Sequence, residues 1–166
     1  MMTGWGDDGR PTGADGATMG EATRLSREER VRVFAWLRLA RVYHQIDRAS
    51  AEFLRQWNLS VAQFDVLAQI GAREGLTQQE LADHLLVTKG NISQLLARME
   101  RRGLVRRTQD GRALVLSLTA EGRRLRAIVV PAQEALIARR LAPLDPAGLR
   151  ALSVALRALD RLPTEE

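Results

Sequence analysis

LTQQELADHLLVTKGNISQLLARMERRGLV, residues 76–105, reads as a short helix, a tight turn, a longer helix and the start of an extended run. Thr77 followed by Glu80 has the spacing of a capping box, which starts a short helix through Leu81 and Leu85. Thr88 caps the next helix and Gly103 ends it. In that second helix Ile92, Leu95, Leu96 and Met99 recur at i, i+3, i+4 and i+7, so they share one side and must be buried. At about 100° per residue, Gly90, Gln94, Ala97, Arg98 and Arg101 point broadly away from that stripe. They are small, polar or cationic, with nothing bulky near the helix start. Two helices in this order across a tight turn are a helix-turn-helix layout.

Downstream the pattern changes to VRRT, an Asp110-Gly111 dipeptide and ALVLSLT, where Leu114, Leu116 and Leu118 alternate toward one face. Asp-Gly between two extended runs predicts a β-hairpin, because the glycine accepts positive φ without a steric cost. Thr119 opens another helix with an apolar stripe of Leu125, Ile128, Val129, Leu136 and Leu141, and Pro131 is expected to bend it. Asp145-Pro146 starts the last helix, which spaces Leu149, Leu152, Leu156, Leu159 and Leu162 by three and four.

Upstream, Ser60 with Gln63 starts a helix carrying Phe64, Leu67 and Ile70, with Gly75 expected to stop it in a left-handed cap. Ser26 with Glu29 starts a long helix to about Trp57, whose Trp36, Leu39, Tyr43, Ile46, Ser50, Phe53 and Trp57 form a seam for packing against other helices. Residues 1–24 carry six glycines, one proline and no periodicity, and read as a flexible tail. The expected class is mainly α with a small β-hairpin wing. A winged helix-turn-helix lobe (58–118) is flanked by a first long helix (25–57) and C-terminal helices (119–166). Apolar stripes at both ends exceed what one wing-sized lobe can hide, which makes the N- and C-terminal helices a dimerisation region.

A chain of 166 residues that is 45% hydrophobic can bury one good core. Its net charge of +5 is concentrated: seven cations against two anions lie between Thr88 and Arg112, an excess equal to that of the whole chain. No cysteine is present, which excludes disulfides, thiolate metal sites and a thiol redox switch. His44 and His84 are the only imidazoles and lie far apart in sequence, so no metal site is expected. No paired nucleophile and base, phosphate-cradling glycine loop or metal cluster stands out, and neither an enzyme nor a cofactor is expected. Without an apolar run of membrane-spanning length or a secretory leader, the expectation is a soluble, cytoplasmic protein with no membrane partner.

A helix whose outer N-terminal part is small and polar can enter a DNA major groove, where short side chains approach base edges. Thr88, Lys89, Asn91, Ser93 and Gln94 are suited to donate to phosphates or bases, while Arg98, Arg101 and Arg102 lie further along, toward the phosphates. Arg106, Arg107 and Arg112 flank the hairpin tip, which either follows the backbone or reaches a minor groove. The order of short helix, cationic helix and cationic hairpin favours double-stranded DNA over a merely solvated polar face. A nonspecific architectural DNA binder and a winged-helix module for protein interaction are the alternatives.

These features together resemble the MarR (multiple antibiotic resistance regulator) family of winged-helix transcription factors, from about Ser26 to Leu162. The resemblance rests on LTQQELADHL leading into VTKGNISQLLARMERRGLVRR, with DGRALVLSLTAEG closing the wing. It implies a homodimer joined through the first and last two helices, a pseudopalindromic operator, and repression relieved by a small-molecule effector. It places recognition-helix positions on Thr88, Lys89, Gly90, Asn91, Ser93 and Gln94, and an Asp-x-Arg wing motif on Asp110 and Arg112. Members usually carry a longer wing tip, whereas only Thr108 and Gln109 separate Arg107 from Asp110 here. Minor-groove entry and phosphate contact by Arg112 therefore both stay open. Effector pockets of the family lie where the dimer helices meet the DNA-binding lobe, a junction that here implicates Trp36, Tyr43, His44, Trp57 and Asp65; plain packing is the competing role for each.

Overall fold

The structure, a computed structural model, describes residues 25–73 and 75–160. The stretch read as a tail, residues 1–24, and Leu162 of the last leucine stripe lie outside them. The chain divides into two compact units, residues 1–39 and 40–166, with the boundary inside the first helix, α1 (Arg27–Leu54). In the first unit the expected capping box is present: Ser26 N–H donates to Glu29 Oε2 at 2.7 Å, and Glu29 N–H returns to Ser26 Oγ at 3.1 Å. Val31, Phe34, Trp36 and Leu37 of this unit are exposed.

In the second unit, α1 tightens into a 3-10 turn over Arg55–Trp57, so the chain reaches Trp57 as expected but not as α-helix throughout. Asn58 at φ +54° reverses the chain, and Leu59 N–H donates to Leu54 O at 3.2 Å. The tight turn has a packing cause, because Leu54 and Leu59 are both buried. α2 (Val61–Ala72) starts at the predicted box, Ser60 Oγ accepting from Gln63 N–H and Gln63 Oε1 from Ser60 N–H. It ends at Ala72, short of the expected stop at Gly75. Arg73 is already extended, and Gly75 takes its positive φ of +75° in the linker. Leaving the helix early seats Leu76 in the core, where its carbonyl accepts Leu116 N–H from the hairpin at 2.9 Å.

α3 (Gln78–His84) and α4 (Lys89–Arg101) are the helix-turn-helix pair. Thr77 and Glu80 form a complete capping box, and Thr88 Oγ1 accepts Asn91 N–H. α4 closes as a Schellman motif: Leu104 N–H reaches Met99 O, Gly103 N–H reaches Glu100 O, and Gly103 sits at φ +70°. Ile92, Leu95, Leu96 and Met99 are all buried, as their spacing required.

β1 (Val105–Asp110) pairs antiparallel with β2 (Ala113–Leu118) in a register set by Asp110 opposite Ala113, so Gly111 and Arg112 alone form the tip. Leu116 and Leu118 are buried beneath the hairpin and Leu114 is half-buried. A bridge between Thr77 and Val115 ties the start of α3 to the wing. α5 (Ala120–Leu141) runs on through Pro131, and its N-cap Thr119 donates to Gly103 O at 2.5 Å. Gly122 lies directly under the Leu104 carbonyl, which a Cβ at that position would strike. The core gathers Leu54, Val66, Leu67, Leu76, Leu81, Ile92, Leu96, Met99 and Leu116, each worth about 1.5–3 kcal/mol of burial. α6 (Pro146–Leu159) begins at Asp145, whose Oδ1 accepts Gly148 N–H at 2.7 Å, and none of its residues is buried.

Candidate nucleic-acid interface

The inner side of α4 is fixed by the core, which fixes what its outer side presents. Thr88, Lys89, Gly90, Asn91 and Gln94 are exposed and Ser93 is half-buried. Gly90 needs a separate account, since glycine near a helix start costs up to about 1 kcal/mol against alanine. Its backbone is ordinary, and a Cβ built there would meet nothing within 4 Å. Packing therefore does not demand this glycine. It leaves a flat place on the outer face, across which another surface can approach the helix backbone.

Two cationic clefts flank that face. Lys89 from the start of α4 and Arg112 from the wing tip line one cleft of about 150 Å3, with Thr77, Gln78, Gln79, Ala113 and Leu114 as its other walls. Residues 23 positions apart in sequence are thereby joined on one surface. Further along α4, Arg98, Arg101 and Arg102 line a second, open cleft of about 390 Å3 with Asn58 and Gln63. Arg102 is partly engaged there, donating to Asn58 O at 2.6 Å and Trp57 O at 3.4 Å, so it closes the carbonyls of the 3-10 turn.

Within the wing the three arginines separate. Arg106 is exposed on β1 and Arg112 is exposed at the tip, beside Asp110 at the strand end. Arg107 is held by Glu100 of α4, donating from Nη2 at 2.7 Å and from Nε at 3.0 Å, while its backbone N–H donates to Glu100 Oε1 at 3.2 Å. The Arg107 guanidinium holds the Glu100 carboxyl below the usual carboxylate range, against a smaller opposing effect of burial. Arg107 thus pins the wing to α4, a role that its place in VRRT did not reveal. Sequence reading also passed over Gln78 and Gln79. Their position just after the Thr77 cap, in the first turn of the first helix of the pair, was the available signal.

The candidate effector residues occupy different surroundings. Asp65 is half-buried and lines a cavity of about 250 Å3 with Ser60, Leu85, Asn91, Ile92, Leu95 and Arg98 among others. Burial pushes its carboxyl up, with the Asp47 carboxylate adding to the effect. Trp57 is half-buried and stacks edge-to-face on Phe53 at 5.2 Å between ring centres. Tyr43 and His44 are exposed and contact each other edge-to-face at 5.6 Å. Trp36, in the first unit, is 64% exposed. Asp65 faces the back of α4 and shares its cavity with none of the four aromatic residues.

A helix-turn-helix pair closed by a hairpin, with a polar outer helix between cationic clefts, is a winged helix-turn-helix. The sequence model of the MarR family matches residues 57–113, from Trp57 to Ala113 just past the wing tip. An uncharacterised HTH-type transcriptional regulator of Bacillus cereus is 44% identical over 96 residues, covering 58% of this chain and 65% of the relative. This chain thus spans just under two thirds of that relative's length. The transcriptional regulator HosA of Escherichia coli O157:H7 is 32% identical over 99 residues, 55% of this chain and 73% of HosA. Among solved structures, AbsC, a MarR family transcriptional regulator from Streptomyces coelicolor, superposes with a TM-score of 0.74 at 26% identity, covering 82% of this chain and 94% of AbsC. A mutant of MarR from E. coli complexed with operator DNA superposes at 0.71 with 23% identity, over 84% and 100% of the two chains, a likeness of fold. The chain belongs to the MarR family.

Proposed function

We propose that the protein is a sequence-specific DNA-binding transcriptional regulator, a homodimer that represses from a pseudopalindromic operator and releases it when a small effector binds. The observation that carries the DNA reading is the cleft shared by Lys89 and Arg112: it joins the start of α4 to the wing tip as one cationic support beside the polar helix face, with the cleft of Arg98, Arg101 and Arg102 as the other. Phosphates seat on such supports while the face between them reads base edges. Asn91, Ser93 and Gln94 carry that readout, and Arg98, Arg101 and Arg106 add phosphate contacts. The relatives, which are transcriptional regulators, and the DNA complex of the E. coli MarR mutant support the same reading. The homodimer is supported by the apolar side chains that α6 leaves in solvent, Val154, Leu156 and Leu159 among them.

The test is binding of the purified protein to DNA from upstream of its own gene and to a scrambled duplex, across a salt series. A large ratio between the two, with affinity falling steeply as salt rises, is expected. Equal binding to both duplexes would replace the regulator with a nonspecific, architectural DNA binder. No binding at low salt would point to a protein partner instead.

A further inference from the structure

We propose that Leu86, in the turn between α3 and α4, is a specificity-determining residue that reads the C5-methyl group of a thymine at the edge of a half-site. The inference deepens the DNA-binding reading above and rests on it.

The backbone sets this leucine apart. α3 ends in a Schellman motif, with Leu85 as the C-cap: Leu86 N–H donates to Asp83 O at 3.2 Å and Val87 N–H to Ala82 O at 3.0 Å. The residue after the cap takes left-handed backbone, here φ +52°. Glycine is the ordinary occupant of that position, and α4 closes the same motif with Gly103 at φ +70°. A leucine is strained there, because its Cβ crowds the following carbonyl. Packing returns nothing. Leu86 is 93% exposed, whereas the next most exposed large apolar residue among those described, Trp36, reaches 64%. Neither the turn nor the core calls for a leucine, and residues held in strain without benefit to the fold gather where a protein meets its ligands.

The surroundings select the partner. Thr88, the cap of α4, lies two residues on, followed by Lys89 and Gly90, and all three are exposed. Leu86 is thus an apolar knob at the leading end of the helix proposed to enter the major groove, just ahead of a cation and of helix backbone bare of side chain. Val87 beside it belongs to the cavity that Asp65 lines. One leucine bounded in sequence by the exposed Asp83, His84, Thr88 and Lys89 is too small for a protein-docking patch. It matches a single methyl group. The C5-methyl of thymine is the apolar group that base pairs display in the major groove, and apolar side chains read it by contact. Since Leu86 precedes the first turn of α4, the thymine belongs at the edge of the half-site rather than at its centre.

The test takes the duplex that the full chain selects from a random pool and replaces each thymine in turn by deoxyuridine, which removes the methyl and keeps the base pair. Expected for the wild type is a loss of about fourfold in affinity at one thymine position of the half-site, the worth of one methyl group moved from water into apolar contact. Leu86→Gly and Leu86→Asn both suit left-handed backbone. Each should bind the unmodified duplex weaker by a similar factor, become indifferent to that methyl, and keep the wild-type preference at every other position. Thermal melts check that both variants remain folded at the temperature of the assay. Variants that respond to every thymine as the wild type does would overturn the contact. So would preferences that shift at all positions together, which would mean that Leu86 acts by placing α4. Equal weakening on every duplex would make it a sugar-phosphate contact, and unchanged binding would leave the leucine to a protein partner; either result also overturns the inference. If the pool yields no preferred sequence, the DNA-binding reading fails and this inference with it, whereas a preferred operator whose methyl sensitivity ignores Leu86 refutes this inference alone.

Discussion

Gln94 stands on the exposed side of α4, one turn beyond Gly90, with nothing bulky between it and an approaching groove. On the proposed DNA reading, a glutamine in such a place would pair its donor and acceptor with a base edge, preferring adenine. Gln94→Ala should therefore change preference at one position of the half-site by about 1–3 kcal/mol, measured by binding to a panel of singly substituted operators. Uniform weakening across the panel would reduce Gln94 to a backbone contact. At the same scale, Leu86 is a leucine held at φ +52° with its side chain 93% exposed, in the turn between α3 and α4. The turn demands left-handed backbone and the side chain buries nothing in return. Asparagine tolerates that conformation, so Leu86→Asn should raise the unfolding free energy by about 1 kcal/mol in a urea titration. An unchanged or lower midpoint would show that the leucine side chain contributes something its exposure does not reveal.

Between elements, the Glu100 to Arg107 pair is the tie that fixes the wing against α4. Because the folded carboxyl titrates below its unfolded value, its stabilisation is complete above the unfolded pKa and disappears as the pH falls through the folded one. The Glu100 side chain remains 37% exposed, so solvent screening keeps the contribution to about 1 kcal/mol or less. Glu100→Gln should unfold at lower urea than the wild type near neutral pH, and the two should converge once the pH has fallen through the lowered pKa of folded Glu100, where both carry a neutral side chain. A gap that persists in acid would mean that hydrogen bonding and packing, rather than charge, hold the wing. The elements themselves were legible wherever the signal was local. Ser26–Glu29, Ser60–Gln63 and Thr77–Glu80 are reciprocal side-chain to backbone bonds between residues three apart, and all three appear as read. What distant packing decides was not legible: the early end of α2 that seats Leu76, the engagement of Arg102 with the 3-10 turn, and the capture of Arg107 by Glu100. Of the candidate site, sequence order placed the face of α4, while the cleft joining Lys89 to Arg112 depends on the hairpin register and on the bridge from Val115 to Thr77.

For the molecule as a whole, the feature that its own chain leaves unanswered is apolar surface. Leu156 is 41% exposed and Leu159 56%, on a helix that buries no residue within its own chain. Scattered exposed leucines are ordinary, but an amphipathic helix with its apolar residues in water calls for a partner. In the proposed homodimer a second copy of the chain would supply one, and it would also bring two α4 helices to one duplex. Leu156→Glu combined with Leu159→Glu places two charges on the stripe that Leu149 and Leu152 continue, without touching the core of the lobe. Sedimentation should find the wild type as a dimer and the double variant as a monomer. Amide exchange at Ile92 and Leu96 should stay slow in the monomer, since their burial belongs to the lobe alone. Losing the second recognition helix removes the avidity of two half-sites, so operator affinity should fall by about 10²–10⁴-fold, while an isolated half-site is bound as before. A wild type that sediments as a monomer, or a double variant that keeps full operator affinity, would remove the dimer and leave the stripe on α6 to some other protein.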